Sequence, residues 1–239
     1  MGVVASTAIG AADVHIHTTY SDGAPTPAMV VARAVELGLG VIAITDHDRI
    51  DGALEASRCD PHRCEVVIGE EVTTKDGHVL GLFLKLPVPP GLSAEETIEA
   101  IHSQGGLAIP AHPFLSLGGA RGVGAAGEGL RWDAIEVENG SPGAWWANRA
   151  ARRAQPSWAR AQTGGSDAHI LDAVGCVLTR FPGRDAHDLR AAIEAGTTLA
   201  ARGKRSPLVG ARTLARSVRR RLTGEAAREV ARRERGALP

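Results

Sequence analysis

Cysteine is scarce in this chain. It has three in 239 residues, an odd and low number that argues against a disulfide framework and points to a reducing compartment, so a cytoplasmic location is expected. Cys59 and Cys64 flank His62 in RCDPHRC, but one short loop does not supply four zinc ligands at structural spacing. Aromatic residues make up only 3%, which leaves the core to Ala, Val, Leu and Ile and disfavours an aromatic-rich sandwich. No window reaches the roughly 18 consecutive apolar residues of a membrane span, so none is expected. Residues 2–12 are mildly apolar with no Lys or Arg before them and run straight into a polar motif, which reads poorly as a signal peptide. A G-x-S-x-G nucleophile elbow is also missing.

What is present is unevenly charged. The whole chain carries 27 basic and 27 acidic residues. From Arg202 to Pro239, however, twelve Lys or Arg stand against three Glu, a net of +9, and residues 1–201 carry the compensating −9. An acidic body suits a cation-binding role, and a basic tail is a surface for nucleic acid, anionic lipid or the body itself. The expected division is a barrel over residues 1–201 and a basic helical extension over residues 202–239, with residues 208–231 as one or two arginine-rich helices.

With 44% hydrophobic residues the chain can bury the core of one large domain. Short β-rich runs alternate with helical ones. Strands are expected over residues 14–17, 41–45 (VIAIT), 65–68, 79–84, 107–111 and 134–138, with another ending near Gly165. Thr26-Pro27 reads as an N-cap followed by proline at the first helical position. Ser93 and Glu96 form a capping box opening a helix to about Gln104. Further helices are expected near residues 53–57, 144–153 and 185–195. Alternation of this kind implies an α/β fold of parallel strands with right-handed crossovers, closed as a distorted barrel. The glycine-rich residues 115–129 read as a mobile loop.

Nine histidines are present, and five share a position type. His15, His17, His47, His112 and His169 fall at the C-terminal ends of expected strands, each with a carboxylate nearby: Asp22, Asp46, Asp48, Glu70, Glu71 or Asp167. His78 opens another strand, whereas His62, His102 and His187 fall in loops or helices and read as structural. Polar residues ending strand after strand mark a barrel whose site opens on that face. Core packing does not explain them, because each buried imidazole would need its own partner, whereas a shared metal cluster satisfies all at once. Imidazole and carboxylate donors without thiolate suit Mn, Zn or Fe. The number of donors exceeds the needs of one ion, so two or three divalent metal ions are expected, with Glu71 as the bridging carboxylate.

The motifs HIHTTYSDG, ITDHD, GEEVTT, GHVLGLF, AHP and GGSDAH occur in an order that resembles the PHP (polymerase and histidinol phosphatase) family, over about residues 13–177. The resemblance implies a distorted (β/α)7 barrel of the PHP type, here followed by a helical, arginine-rich C-terminal extension, and a di- or trinuclear centre that hydrolyses phosphoesters. Matched motif by motif, it implies His15, His17, Asp22, His47, Glu71, His78, His112, Asp167 and His169 as metal ligands. Gly69 and Glu71 meet the family's Gly-x-Glu spacing, which selects Glu71 over Glu70. Asp22 stands where some trinuclear members have histidine. Arg49 follows TDHD where threonine is usual, and its guanidinium could clamp a phosphate. The insertion that nucleotide phosphatases of the family carry before AHP is missing here.

These residues predict metal-dependent hydrolysis of a phosphoester by a metal-activated hydroxide, on a small phosphorylated metabolite or nucleotide. His47 or His169 is expected to protonate the leaving oxygen. The rivals are a 5′-3′ exonuclease on short RNA or DNA whose basic tail tracks nucleic acid, and a non-catalytic metal-stabilised binding module. The tail has no aromatic residue for base stacking, which places the small substrate ahead.

Overall fold

End signals in the sequence set three of the six α-helices among the described residues. A computed structural model describes residues 8–117, 119–203 and 208–223. In chain order the elements are β1 (Ile9–Asp13), α1 (Pro27–Glu36), β2 (Val41–Ile44), α2 (Asp51–Ala56), β3 (Glu65–Thr73), β4 (His78–Leu82), α3 (Ala94–Ser103), β5 (Leu107–Pro110), β6 (Ala134–Asn139), α4 (Trp145–Trp158), β7 (Ala161–Gly165), β8 (Val177–Pro182), α5 (Ala186–Ala195), β9 (Leu199–Arg202) and α6 (Val209–Leu222). Thr26 caps α1 by accepting the Met29 N–H, with Pro27 opening the helix. Ser93 and Glu96 cap α3 reciprocally. Asp185 caps α5, and Gly196 ends it in the left-handed conformation.

The strands form a mixed α/β fold around a curled sheet. Seven pair in the order β5-β4-β3-β2-β1-β8-β9, and β6 and β7 form a separate parallel pair. That pair spans the gap between the sheet's ends. The Asp133 N–H donates to the Ala108 carbonyl at 3.0 Å on the β5 side, and Thr198 Oγ1, just before β9, donates to the Gln162 carbonyl of β7 at 2.7 Å on the other. The interior holds Ala12, Val41, Ala43, Val67, Leu80, Ile109, Ala134 and Ala161, plugged by Leu189 and Ile193 of α5. Small side chains fill a narrow barrel, which is how so few aromatics suffice. Helices α1 and α2 cover Ile42 and Ile44 on the outer face, and α3 covers the β4–β5 side.

Three expectations need correction. The strands are not all parallel: β4 runs antiparallel to both β3 and β5, and β8 to both β1 and β9. The link from β3 to β4 is a tight turn rather than a helix, with Thr74 Oγ1 accepting the Gly77 N–H at 3.0 Å, and only an antiparallel partner can be reached by so short a link. The first strand ends at Asp13, so His15 and His17 lie just beyond it on extended chain held by the Ile16–Ala168 bridge. Glu71 lies inside β3 rather than after it. The first half of β3 pairs with β2, and from Gly69 onward it pairs with β4.

The glycine-rich residues 115–129 contain a short 3-10 turn over Gly124–Gly127, and Leu115 and Val123 are buried in the core. Helix α6 covers the first part of the tail stretch expected to be helical, and residues 224–239 lie outside the described residues. Among the described residues no helix is long and apolar enough to cross a membrane.

Candidate metal centre

At the end of the barrel where β1, β2 and β7 finish, nine side chains converge. His15 and His17 alternate with Ile16 on extended chain, so both imidazoles face the interior while Ile16 packs outward. Their Nε2 atoms lie 3.2 Å apart. Glu71 sits at the middle. Its Oε1 is 2.8 Å from His78 Nδ1 and 3.0 Å from His112 Nε2. Its Oε2 is 3.3 Å from His15 Nε2, 3.1 Å from His17 Nε2 and 3.4 Å from His47 Nδ1. Asp167 Oδ1 lies 3.3 Å from His17 Nε2, and Asp22 Oδ1 lies 2.9 Å from His169 Nε2. His15, His17, Glu71 and His112 are buried, whereas the side chains of His47, Asp22 and His169 are 13%, 17% and 23% exposed. The cluster is therefore open to solvent on the Asp22–His47–His169 side.

Backbone geometry aims these groups. Asp48, His112 and Asp167 have φ of 56°, 31° and 51°, the left-handed region that turns a chain sharply at a strand end. Gly165 permits the close approach of β7, since a Cβ there would sit 2.4 Å from His15 Cβ and 2.7 Å from Glu136 Oε1.

A second layer of carboxylates holds the first, and Asp13 and Glu136 in it are not among the site residues expected from the sequence. Glu136 Oε1 is 3.0 Å from His15 Nδ1, and its Oε2 accepts the His112 N–H at 2.6 Å and the Asn139 amide at 3.0 Å. Asp13 accepts the N–H groups of Ser166 and Gly175. Asp46 accepts from Thr18 and Ser21, shaping the loop to Asp22, and Asp48 accepts from Thr73. Ser141 donates to Asp167 Oδ2 at 2.6 Å. Glu70 points away, its Oε2 accepting the Val88 N–H. Arg49 is the expected residue that the fold leaves outside the cluster. Its Nε donates to Asp51 at 3.1 Å, its Nη1 to the Tyr20 carbonyl at 3.0 Å, and it stacks on the Tyr20 ring.

The electrostatics fit a cation site. Burial pulls the imidazoles down, but for His17 the hydrogen bonds to Asp167 and Glu71 outweigh it and raise the pKa to about 10. His15 rises well above the usual range, burial being outweighed by Glu136, Asp167 and Glu71. Burial pushes the Glu71 and Asp167 carboxyls up, yet the surrounding histidines hold both well below their ordinary value. Among the described residues His112 Nδ1 is buried without a hydrogen-bond partner. Donor atoms within 4.8 Å of one another group as His17, Asp22, His47 and His169; as His15, His17 and Asp167; as His15, Glu71 and His112; and as His47, Glu71 and His78. These nitrogens and oxygens can be satisfied together by protons or by divalent cations, and the mixed donor set suits the latter. The loop at Cys59, His62 and Cys64 forms no such group among the described residues.

Two family models match this chain. A PHP domain model matches residues 13–109, and a PHP-associated model matches residues 145–198. The uncharacterized protein MJ1587 of Methanocaldococcus jannaschii is 41% identical over 140 residues, covering 54% of this chain and 81% of that protein. The chain belongs to the PHP family.

Other PHP relatives match over shorter spans. A 3′,5′-nucleoside bisphosphate phosphatase from Chromobacterium violaceum is 37% identical over 87 residues, 34% of this chain and 30% of that one. The 5′-3′ exoribonuclease Rnm of Salmonella typhimurium is 39% identical over 85 residues, 32% and 29% respectively. The chain thus aligns with under a third of either protein. A two-domain Bacteroides vulgatus protein containing a predicted PHP-like metal-dependent phosphoesterase shares the fold at TM-score 0.66 and 19% identity, over 84% of this chain and 68% of that one.

One consequence of the raised imidazole pKa values is measurable. With His17 at about 10, the metal-free site holds its proton at neutral pH, so cation binding must expel it. Calorimetric Mn titration in two buffers of different ionisation enthalpy should show release of about one proton or more per cation. Affinity should climb as pH rises toward 10. A buffer-independent heat at pH 7 would contradict this assignment.

Proposed function

We propose that this chain hydrolyses the phosphomonoester of a small phosphorylated metabolite or nucleotide. The observation that carries the reading is the convergence of nine ligand-type side chains around Glu71, buried on one side and open on the other. His15, His17, Asp22, His47, Glu71, His78, His112, Asp167 and His169 would hold two or three divalent ions of the Mn, Zn or Fe type. Glu71, shared by two of the donor groups, is suited to bridge. The chemistry such cations supply when bound is Lewis acidity toward phosphate oxygens and the attacking water.

The protein's own part is positioning and proton transfer. Substrate enters on the Asp22–His47–His169 side, where exposure is greatest. His169 is the better proton donor to the leaving oxygen: burial lowers it, but Asp22 2.9 Å from Nε2 raises it overall. His47 is kept neutral by burial and by its neighbours His17 and His78, against the pull of Glu71 and Asp22, which suits a ligand rather than an acid. Ser141 and Asn139 fix Asp167 from behind.

The similarity to Rnm favours a second reading, removal of 5′ nucleotides from RNA. One panel separates the two: Mn-dependent release from mononucleotides, nucleoside bisphosphates, sugar phosphates and 5′-phosphorylated oligomers, with Asp167→Asn as the control. Turnover of small esters by the native chain but not the variant supports a phosphatase. Turnover confined to oligomers supports the nuclease, and no turnover with cations bound refutes both.

A further inference from the structure

Helix α6 carries a feature that the metal centre does not use. Its fourteen residues, VGARTLARSVRRRL, contain five arginines and no acidic residue. Among the described residues of α6 only Val209 joins a core cluster. Ala211, Leu214, Ala215, Val218 and Leu222 recur at helical spacing on one stripe, and all are exposed, Leu214 by 57%, Val218 by 47% and Leu222 by 83%. The helix is fixed to the barrel on its other side. Arg216 Nη2 donates to the Asp22 carbonyl at 3.1 Å, and Arg212 pairs with Asp172, just beyond His169. The outward stripe is therefore held in a set orientation relative to the open side of the metal centre.

We propose that the basic extension beginning at Arg202 docks on an anionic lipid surface through α6, which lies in the plane of that surface with its apolar stripe inward. Two features of the helix choose this occupant. Nucleic acid would use the arginines but would leave the apolar stripe in water. A second copy meeting the same stripe would bring one helix with five arginines and no acid against another, and like charges repel. An anionic lipid interface takes both, burying Leu214, Val218 and Leu222 at the acyl boundary while the headgroups neutralise the exposed Arg219 and the net positive charge of the helix. A single short stripe gives reversible rather than permanent attachment.

The test uses the full chain and does not depend on finding its substrate. Native protein and the double variant Leu214→Glu, Val218→Glu are floated with phosphatidylcholine vesicles, with and without about one-third phosphatidylglycerol. Both substituted positions are exposed, so the variant should keep the native melting curve. The native chain should float with the anionic vesicles only, and the variant should lose about tenfold of that recovery. Equal recovery of native and variant overturns the proposal, as does equal recovery on the two vesicle types. A native chain that stays below the vesicles overturns it too. In that last case, an RNA gel shift or a stripe-dependent dimer in sedimentation would reassign the surface.

Discussion

Glu71→Gln should abolish activity, with kcat/KM falling on the order of 10³-fold or more. The carboxylate lies within 3.4 Å of five imidazoles, those of His15, His17, His47, His78 and His112. A carboxamide keeps the shape but loses the charge, and it offers an N–H to neighbours that need an acceptor. Cation stoichiometry by elemental analysis should drop together with the rate. The metal-free fold should suffer as well. His15 and His17 are held protonated partly by Glu71, and removing one partner of a buried charged cluster costs about 3–5 kcal/mol.

The pH sign follows from the direction of those shifts. The two histidines have folded pKa values raised above the unfolded one, 6.5 for this group. Their stabilisation of the metal-free protein is therefore fully present below that value and fades as pH rises toward about 10 for His17. Denaturant titrations of metal-free native protein and Glu71→Gln should converge as pH increases. A variant with native stoichiometry and a rate within tenfold of native would show that Glu71 is not central.

Glu136→Ala should be the next most damaging change, although Glu136 contacts the cluster only from behind. It orients the His15 ring, accepts the His112 backbone N–H at 2.6 Å and holds the Asn139 amide. Loss of such a partner typically weakens cation affinity or activity about 10–100-fold. A stranded buried N–H at His112 adds about 1–3 kcal/mol of instability. Glu136→Gln retains one acceptor oxygen and should fall between native and Ala in both readouts. If the Ala variant binds Mn with native affinity, Glu136 has no role in placing His15.

Glu136 also marks the limit of what the sequence discloses. In AIEVEN, Glu136 and Glu138 look like the solvent face of an ordinary half-buried strand. A register shift between them sends the first to His15 and His112 and the second to Arg152 and Arg202. A bulge leaves no local signature in residue type, so the inward turn could not be read. The capped helices were legible because Thr26, Ser93 and Asp185 act on backbone groups three residues away. Clustering at strand ends disclosed the histidines for the same local reason. Strand partners were not legible, because pairing is settled by distant segments. β9, with Leu199 and Arg202 exposed, was missed altogether as a short alanine-rich edge. The hold of Arg49 on the Tyr20 carbonyl was not legible either, since it joins residues 29 apart.

The corners at Asp48, His112 and Asp167 have a further consequence. Left-handed backbone costs a residue with a side chain about 1–2 kcal/mol, and glycine would be relieved of it. Three such corners lie beside six imidazoles packed ring to ring, His15 with His112 and His17 with His169 among them. A selection for thermal tolerance alone would therefore dismantle this end of the barrel first, trading its acids and imidazoles for glycine and aliphatic residues. Survivors of such a screen should be hardier and inert, and their substitutions would trace the outline of the site.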